Sequence, residues 1–174
     1  MASLTDSEIR RFVNVPGGGL DFGHVREDDA ATLGVKGGPI RLQQGIPGSK
    51  GFGNLHVESY PDRMRQLQSL GYASCAAFVL AVGANYQRIG EGGGSGKLAL
   101  IYQNCGHDLQ IIVRYNDAGF WGVTTGLPYR VARCKILLEV SRTGGSEPTP
   151  KPAVASRFAT LSLPRKSTLG GSGS

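Results

Sequence analysis

The chain has 174 residues, 40 % hydrophobic and 18 % charged, with a formal net charge of +6. That apolar content is enough for one compact domain and excludes a chain disordered by composition. No run approaches the roughly 18–20 uninterrupted apolar residues of a membrane span, and residues 1–7 lack the basic and apolar stretches of a secretory signal.

Thr5-Asp6-Ser7-Glu8 has the hydroxyl-to-carboxylate spacing of a capping box and opens a short helix to about Phe12. Pro16 and the Gly17-Gly18-Gly19 run end it. Residues 20–55 read as loops and short strands; Pro39 to Gln43 alternates as a strand does, while Gly45 to Gly53 is irregular. Asp62 to Leu70 follows a proline at a helix start, with Met64, Leu67 and Leu70 at helical spacing. Ser74 caps a second helix, Cys75 to Ala84, apolar nearly all round and therefore buried.

From Tyr86 the period becomes strand-like, over Tyr86–Ile89, Lys97–Gln103, Leu109–Tyr115, Phe120–Thr125 and Ile136–Val140. Their short, glycine-rich connections imply an antiparallel meander. The expected fold is α+β: short N-terminal helices packed on a twisted four- to five-stranded antiparallel sheet. From Gly144 the composition is that of a linker, so the expected organisation is one domain over residues 1–143 and a basic Gly/Ser/Pro-rich tail over 144–174.

Charge is uneven along the chain. The tail from Ser141 carries +4 and residues 1–140 only +2; within those, residues 1–62 are acidic and 88–135 basic. The positive bias of the later strands is one that an anionic ligand would feel. Three scattered cysteines with no CxxC argue against a disulfide framework or a cysteine zinc site and fit a reducing compartment. The histidines at 24, 56 and 107 lack metal-binding spacing, and neither glycine run continues into a phosphate loop. No metal or other cofactor is expected.

What remains suits phosphodiester cleavage by side chains alone, which needs a base, an acid and donors for developing charge. Histidine serves as either acid or base near neutrality. His56 stands between a glycine-rich approach and a helix start, at a rim, although a histidine there also simply fixes a loop. His24 lies in a similar loop and His107 in a turn. Alternation sends Leu109, Ile111, Val113 and Tyr115 to the core and Arg114 to the open face, where it can fork onto a phosphate. Thr124 and Thr125 are expected to point to opposite faces, so one of them can stand beside Arg114.

Taken in order, Gly51-Phe52-Gly53-Asn54-Leu55-His56-Val57, a buried helix, Asn85 to Ile89, Lys97 to Tyr102, Leu109 to Tyr115 and Trp121-Gly122-Val123-Thr124-Thr125-Gly126-Leu127-Pro128 form a pattern over residues 45–140. It resembles the phage-borne nuclease domains of the barnase–EndoU–colicin–RelE-like superfamily, found in phage head-associated polyvalent proteins and polymorphic toxins. The resemblance implies a helical layer on a twisted antiparallel sheet and metal-independent RNA cleavage through a 2′,3′-cyclic phosphate. His56 matches the family histidine, and Thr125 or Thr124 the strand-end threonine. The chain departs at His56-Val57-Glu58-Ser59-Tyr60, where family members often read H-I-x-x-R-H; the second basic pair is missing, and Glu58 or Tyr60 would have to substitute.

The expected catalytic set is therefore His56, Arg114, Thr125 and Tyr102, with Thr124, Arg88, Glu58 and Arg130 binding substrate. The expected partners are RNA and an inhibitory immunity or antitoxin protein, with no membrane; the expected setting is the cytoplasm of a bacterial or phage-infected cell, or delivery into a target cell. Two alternatives stay open: a catalytically silent nucleic-acid-binding or virion structural domain on the same fold, and an ADP-ribosyltransferase. The latter would need Glu139 or Glu147 as its catalytic carboxylate.

Overall fold

A computed structural model describes residues 4–140, so the basic tail lies outside the described residues. Five helices and seven strands follow one another as α1 (Asp6–Arg10), β1 (Asp21–Val25), α2 (Glu27–Leu33), β2 (Gly38–Arg41), α3 (Gly53–Glu58), α4 (Pro61–Ser69), α5 (Cys75–Asn85), β3 (Arg88–Glu91), β4 (Lys97–Asn104), β5 (His107–Asn116), β6 (Phe120–Tyr129) and β7 (Ile136–Glu139). The strands form one sheet in the order β1-β2-β6-β5-β4-β3-β7. The class is α+β. No helix among the described residues is long and apolar enough to cross a membrane.

Local chemistry sets the helix ends. Thr5 and Glu8 exchange both capping-box hydrogen bonds at the head of α1. Ser74 Oγ accepts from the Ala77 amide, 3.1 Å away, to start α5. The antiparallel run β3 to β6 follows from turn-rich connections, as the alternation predicts.

Two corrections to the sequence expectation concern the sheet. It has seven strands rather than four or five, and it is mixed, because β2 runs parallel to β6. The helices are interleaved with strands: β1, α2 and β2 precede α3. β1 and β2 are short and contain Gly23 and Pro39, so neither carries a long alternating signal. A parallel pair cannot be joined by a hairpin, and the chain from residue 42 to 119 is the long connection that the β2–β6 pair requires.

One face of the sheet carries Leu98, Leu100, Leu109, Ile111, Val113, Trp121 and Val123, which join Phe78, Val79 and Val82 of α5 in the core. Each such side chain contributes about 1.5–3 kcal/mol when fully buried. Close approach is made possible by glycine: a Cβ on Gly23 would stand 2.1 Å from the Gly83 carbonyl oxygen, where α5 crosses β1. The opposite face carries Lys97, Ile101, Gln110, Ile112 and Arg114. The predicted open side is open only around Arg114. At the other end residues 130–135 run from β6 towards the β3 edge, where β7 pairs, and cover Asp108 and Gln110.

Candidate active site

The segment before α3 is a glycine-built loop. Ile46 and Phe52 exchange two backbone hydrogen bonds of 3.0 Å, and a Cβ on Gly51 would stand 1.9 Å from the Ile46 carbonyl oxygen. Gly53, at φ +76°, turns the chain into the helix. The predicted rim loop around His56 is thus the helix α3, which brings the imidazole inward; His56 is buried. Its Nδ1 stands 2.7 Å from the Gly48 carbonyl oxygen. A carbonyl only accepts, so Nδ1 carries the proton and Nε2 is the basic atom of the neutral ring. The Gly48 amide in turn donates to Ser59 Oγ at 3.2 Å, so α3 holds this glycine at both its polar atoms.

Tyr60 links the imidazole to a cation. Its ring meets His56 edge-on at 5.4 Å between centroids, and the Arg63 guanidinium lies 4.5 Å from the Tyr60 ring centroid. Arg63 Nη1 also donates to Thr125 Oγ1 at 3.2 Å. His56, Tyr60, Arg63 and Thr125 therefore form one contact chain running from α3 through α4 to β6. Arg63 is partly buried and has no carboxylate partner among the described residues, and its Nε is buried without a hydrogen-bond acceptor. Burial pushes its pKa down, and the nearby Tyr60 and Tyr129 offset that in part. Next to it, burial pushes the Cys75 thiol up to about 12 and keeps it neutral; Glu58 adds to the rise and Arg63 opposes it.

Sequence reasoning missed Arg63. The signal was present: His56, Tyr60 and Arg63 stand at positions i, i+4 and i+7, and Arg63 lies one turn before the buried Leu67 on α4. Pro61 concealed it by separating α3 from α4.

The other expected residues divide into groups. Thr124 has no partner across the β5–β6 pair, because the register slips between Ile112 and Val113. This bulge breaks the strict alternation of the two threonines. Thr125 meets Arg63, while Thr124 donates to the Ile112 carbonyl at 3.1 Å and lines a hollow of about 480 Å³ with Arg114 and Lys97. Arg114 is exposed; His56 does not line that hollow. Tyr102 pairs with Leu109 on the core face of the sheet, opposite in strand parity to Arg114, so these two are not brought together. Glu58 is exposed at the end of α3 and accepts from Asn54 Nδ2 at 3.0 Å. Arg88 is taken up by Asp108, 2.5 Å away. Arg130 lines a separate groove with Gln66 and His107. His24 lies on β1 and His107 opens β5.

Among the described residues no three His, Cys, Asp or Glu side chains are grouped where they could hold a metal ion. No family model, curated protein or solved structure matches the chain.

Proposed function

We propose that the chain is an endoribonuclease that cleaves RNA through a 2′,3′-cyclic phosphate without a metal, and that its centre is His56, Tyr60, Arg63 and Thr125. What carries this reading is Arg63: a partly buried guanidinium with no countercharge, held against Tyr60 and Thr125 beside a histidine whose basic atom is Nε2. A desolvated cation without an anion is costly, and a phosphate supplies the anion.

In this reading His56 Nε2 takes the 2′-hydroxyl proton as O2′ attacks phosphorus. Arg63 receives the charge that grows on the non-bridging oxygens. Thr125 Oγ1 accepts from the guanidinium and holds it in place. The bond from phosphorus to the 5′-oxygen breaks, the leaving oxygen takes a proton from the Tyr60 hydroxyl, and water then carries the proton held by His56 back to Tyr60, which restores both side chains. The loss of the second basic pair of the resembling family, with Tyr60 in place of its arginine, then alters which side chain supplies the acid and leaves the base in place.

The test is incubation of the folded chain with total RNA in EDTA, followed by mapping of the new ends. Cyclic phosphate termini at defined positions are expected. His56→Ala should slow cleavage by roughly 10²-fold or more, the usual contribution of a general base. Tyr60→Phe should slow it while retaining both ring contacts. Intact RNA after exposure to folded wild-type protein overturns the reading.

A further inference from the structure

Lys97 and Arg114 are directly opposite each other in the β4–β5 register. Like charges facing across an antiparallel pair are destabilising, yet neither has an ion pair or side-chain hydrogen bond among the described residues. Among the described residues the only acid on the hollow that they line is Asp117, which pairs with neither; Gln43, Asn116 and Thr124 supply neutral polar groups. Neighbouring residues of the chain link the hollow to the Arg63 centre. Thr124 lines it while Thr125 holds Arg63, and Phe52 lines it while forming the N-terminal cap of α3, the helix of His56.

We propose that this hollow is a second phosphate subsite, where Lys97 and Arg114 together hold the backbone of single-stranded RNA flanking the bond at the Arg63 centre. The identity of the ligand as RNA rests on the ribonuclease reading; the need for an anion rests on the unneutralised cation pair. The two cations give part of the basic bias of residues 88–135 a specific task, whereas Arg88 in the same stretch is neutralised by Asp108.

The experiment uses a fluorescent 2′-O-methyl RNA oligonucleotide, which binds but cannot form the cyclic phosphate, titrated against the full chain at several salt concentrations. Replacing both cations, Lys97→Gln with Arg114→Gln, should lower the slope of log affinity against log salt by about 1.4, from ~0.7 per single-strand phosphate contact. KM for natural RNA should rise several-fold with kcat little changed, the mark of lost uniform binding. Lys135→Gln, at the far edge of the sheet beside Glu91, should leave slope and affinity as they were. Lys97→Glu turns the repulsive pair into an attractive one, so its melting temperature should hold or rise while RNA binding falls; this separates lost binding from lost folding.

Unchanged affinity and salt slope in the double variant, or no binding by wild type, overturns the subsite. Binding of poly-glutamate that depends on both cations, with none of the oligonucleotide, overturns it in favour of an acidic protein ligand. Oligonucleotide binding that needs both cations, with no cleavage of natural RNA, upholds the subsite and rejects the ribonuclease. Cleavage that ignores both substitutions does the reverse.

Discussion

Arg88 and Arg63 are both partly buried arginines, and they have opposite surroundings. Arg88 pairs with Asp108, whose second oxygen accepts from the Ala132 amide at 2.7 Å. This unit ties the 130–135 crossover to the sheet. Arg63 has a ring and a hydroxyl around it and no carboxylate among the described residues. The first arginine is neutralised within the fold. The second is partly desolvated with no countercharge among the described residues, and on the ribonuclease proposal that difference separates a structural cation from a binding one more sharply than burial or position on the sheet.

The comparison breaks most visibly on activity. Arg63→Met should reduce cleavage by roughly 10²–10³-fold, the usual cost of removing one donor to a developing oxyanion. It should leave stability unchanged or slightly higher, because a partly desolvated charge disappears. Equal losses of activity and stability, measured by RNA cleavage and by urea unfolding of the same preparation, would make Arg63 a structural residue like Arg88. On the Arg88 side the pattern should invert. Asp108→Ala leaves a partly buried cation and a backbone amide without their acceptor, so it should cost about 3 kcal/mol in urea unfolding. Arg88→Met combined with Asp108→Leu should recover much of that loss, since both partners of the pair leave together. A double variant no better than Asp108→Ala would show that the Ala132 anchor, not the ion pair, carries the stability.

The sequence made this contrast half legible. Alternation in β5 placed Leu109, Ile111 and Val113 in the core and Arg114 outside, which is where they lie. The capping box at Thr5 and the Ser74 cap located two helices. The partner of Arg88 was not legible, because Asp108 reaches it across β4 through the sheet register rather than through any local spacing. Nor was the bulge at Thr124, which is defined by a partner strand and redirects two adjacent threonines. α3 was hidden by its length: six residues starting with a glycine give no amphipathic period, and its position depends on tertiary packing against β6. His56 was found by residue type, and its burial depends on the loop that folds back through Gly48.

A smaller effect sharpens the comparison through the neighbour of Arg63. Cys75 is buried, and its thiol is held near 12, well above the roughly 8.5 of an unfolded cysteine. Between those values the unfolded chain has lost this proton and the native chain keeps it. The stability contribution is therefore complete below about pH 8.5 and declines as pH rises, by up to about 1.4 kcal/mol per pH unit. Cys134, also pushed up by burial, adds a weaker trend of the same sign. Tyr72 and Tyr86 are raised too, but a phenol begins to titrate only near pH 10. The difference in unfolding free energy between wild type and Cys75→Ala, followed from pH 8 to about 12, where the native thiol itself begins to titrate, isolates the Cys75 slope. In an Arg63→Met background the charge that opposes the rise is absent, so the Cys75 slope should extend to higher pH. An unaltered upper limit would mean that the guanidinium is screened from the thiol by solvent, and the case for a desolvated, unmatched Arg63 would weaken with it.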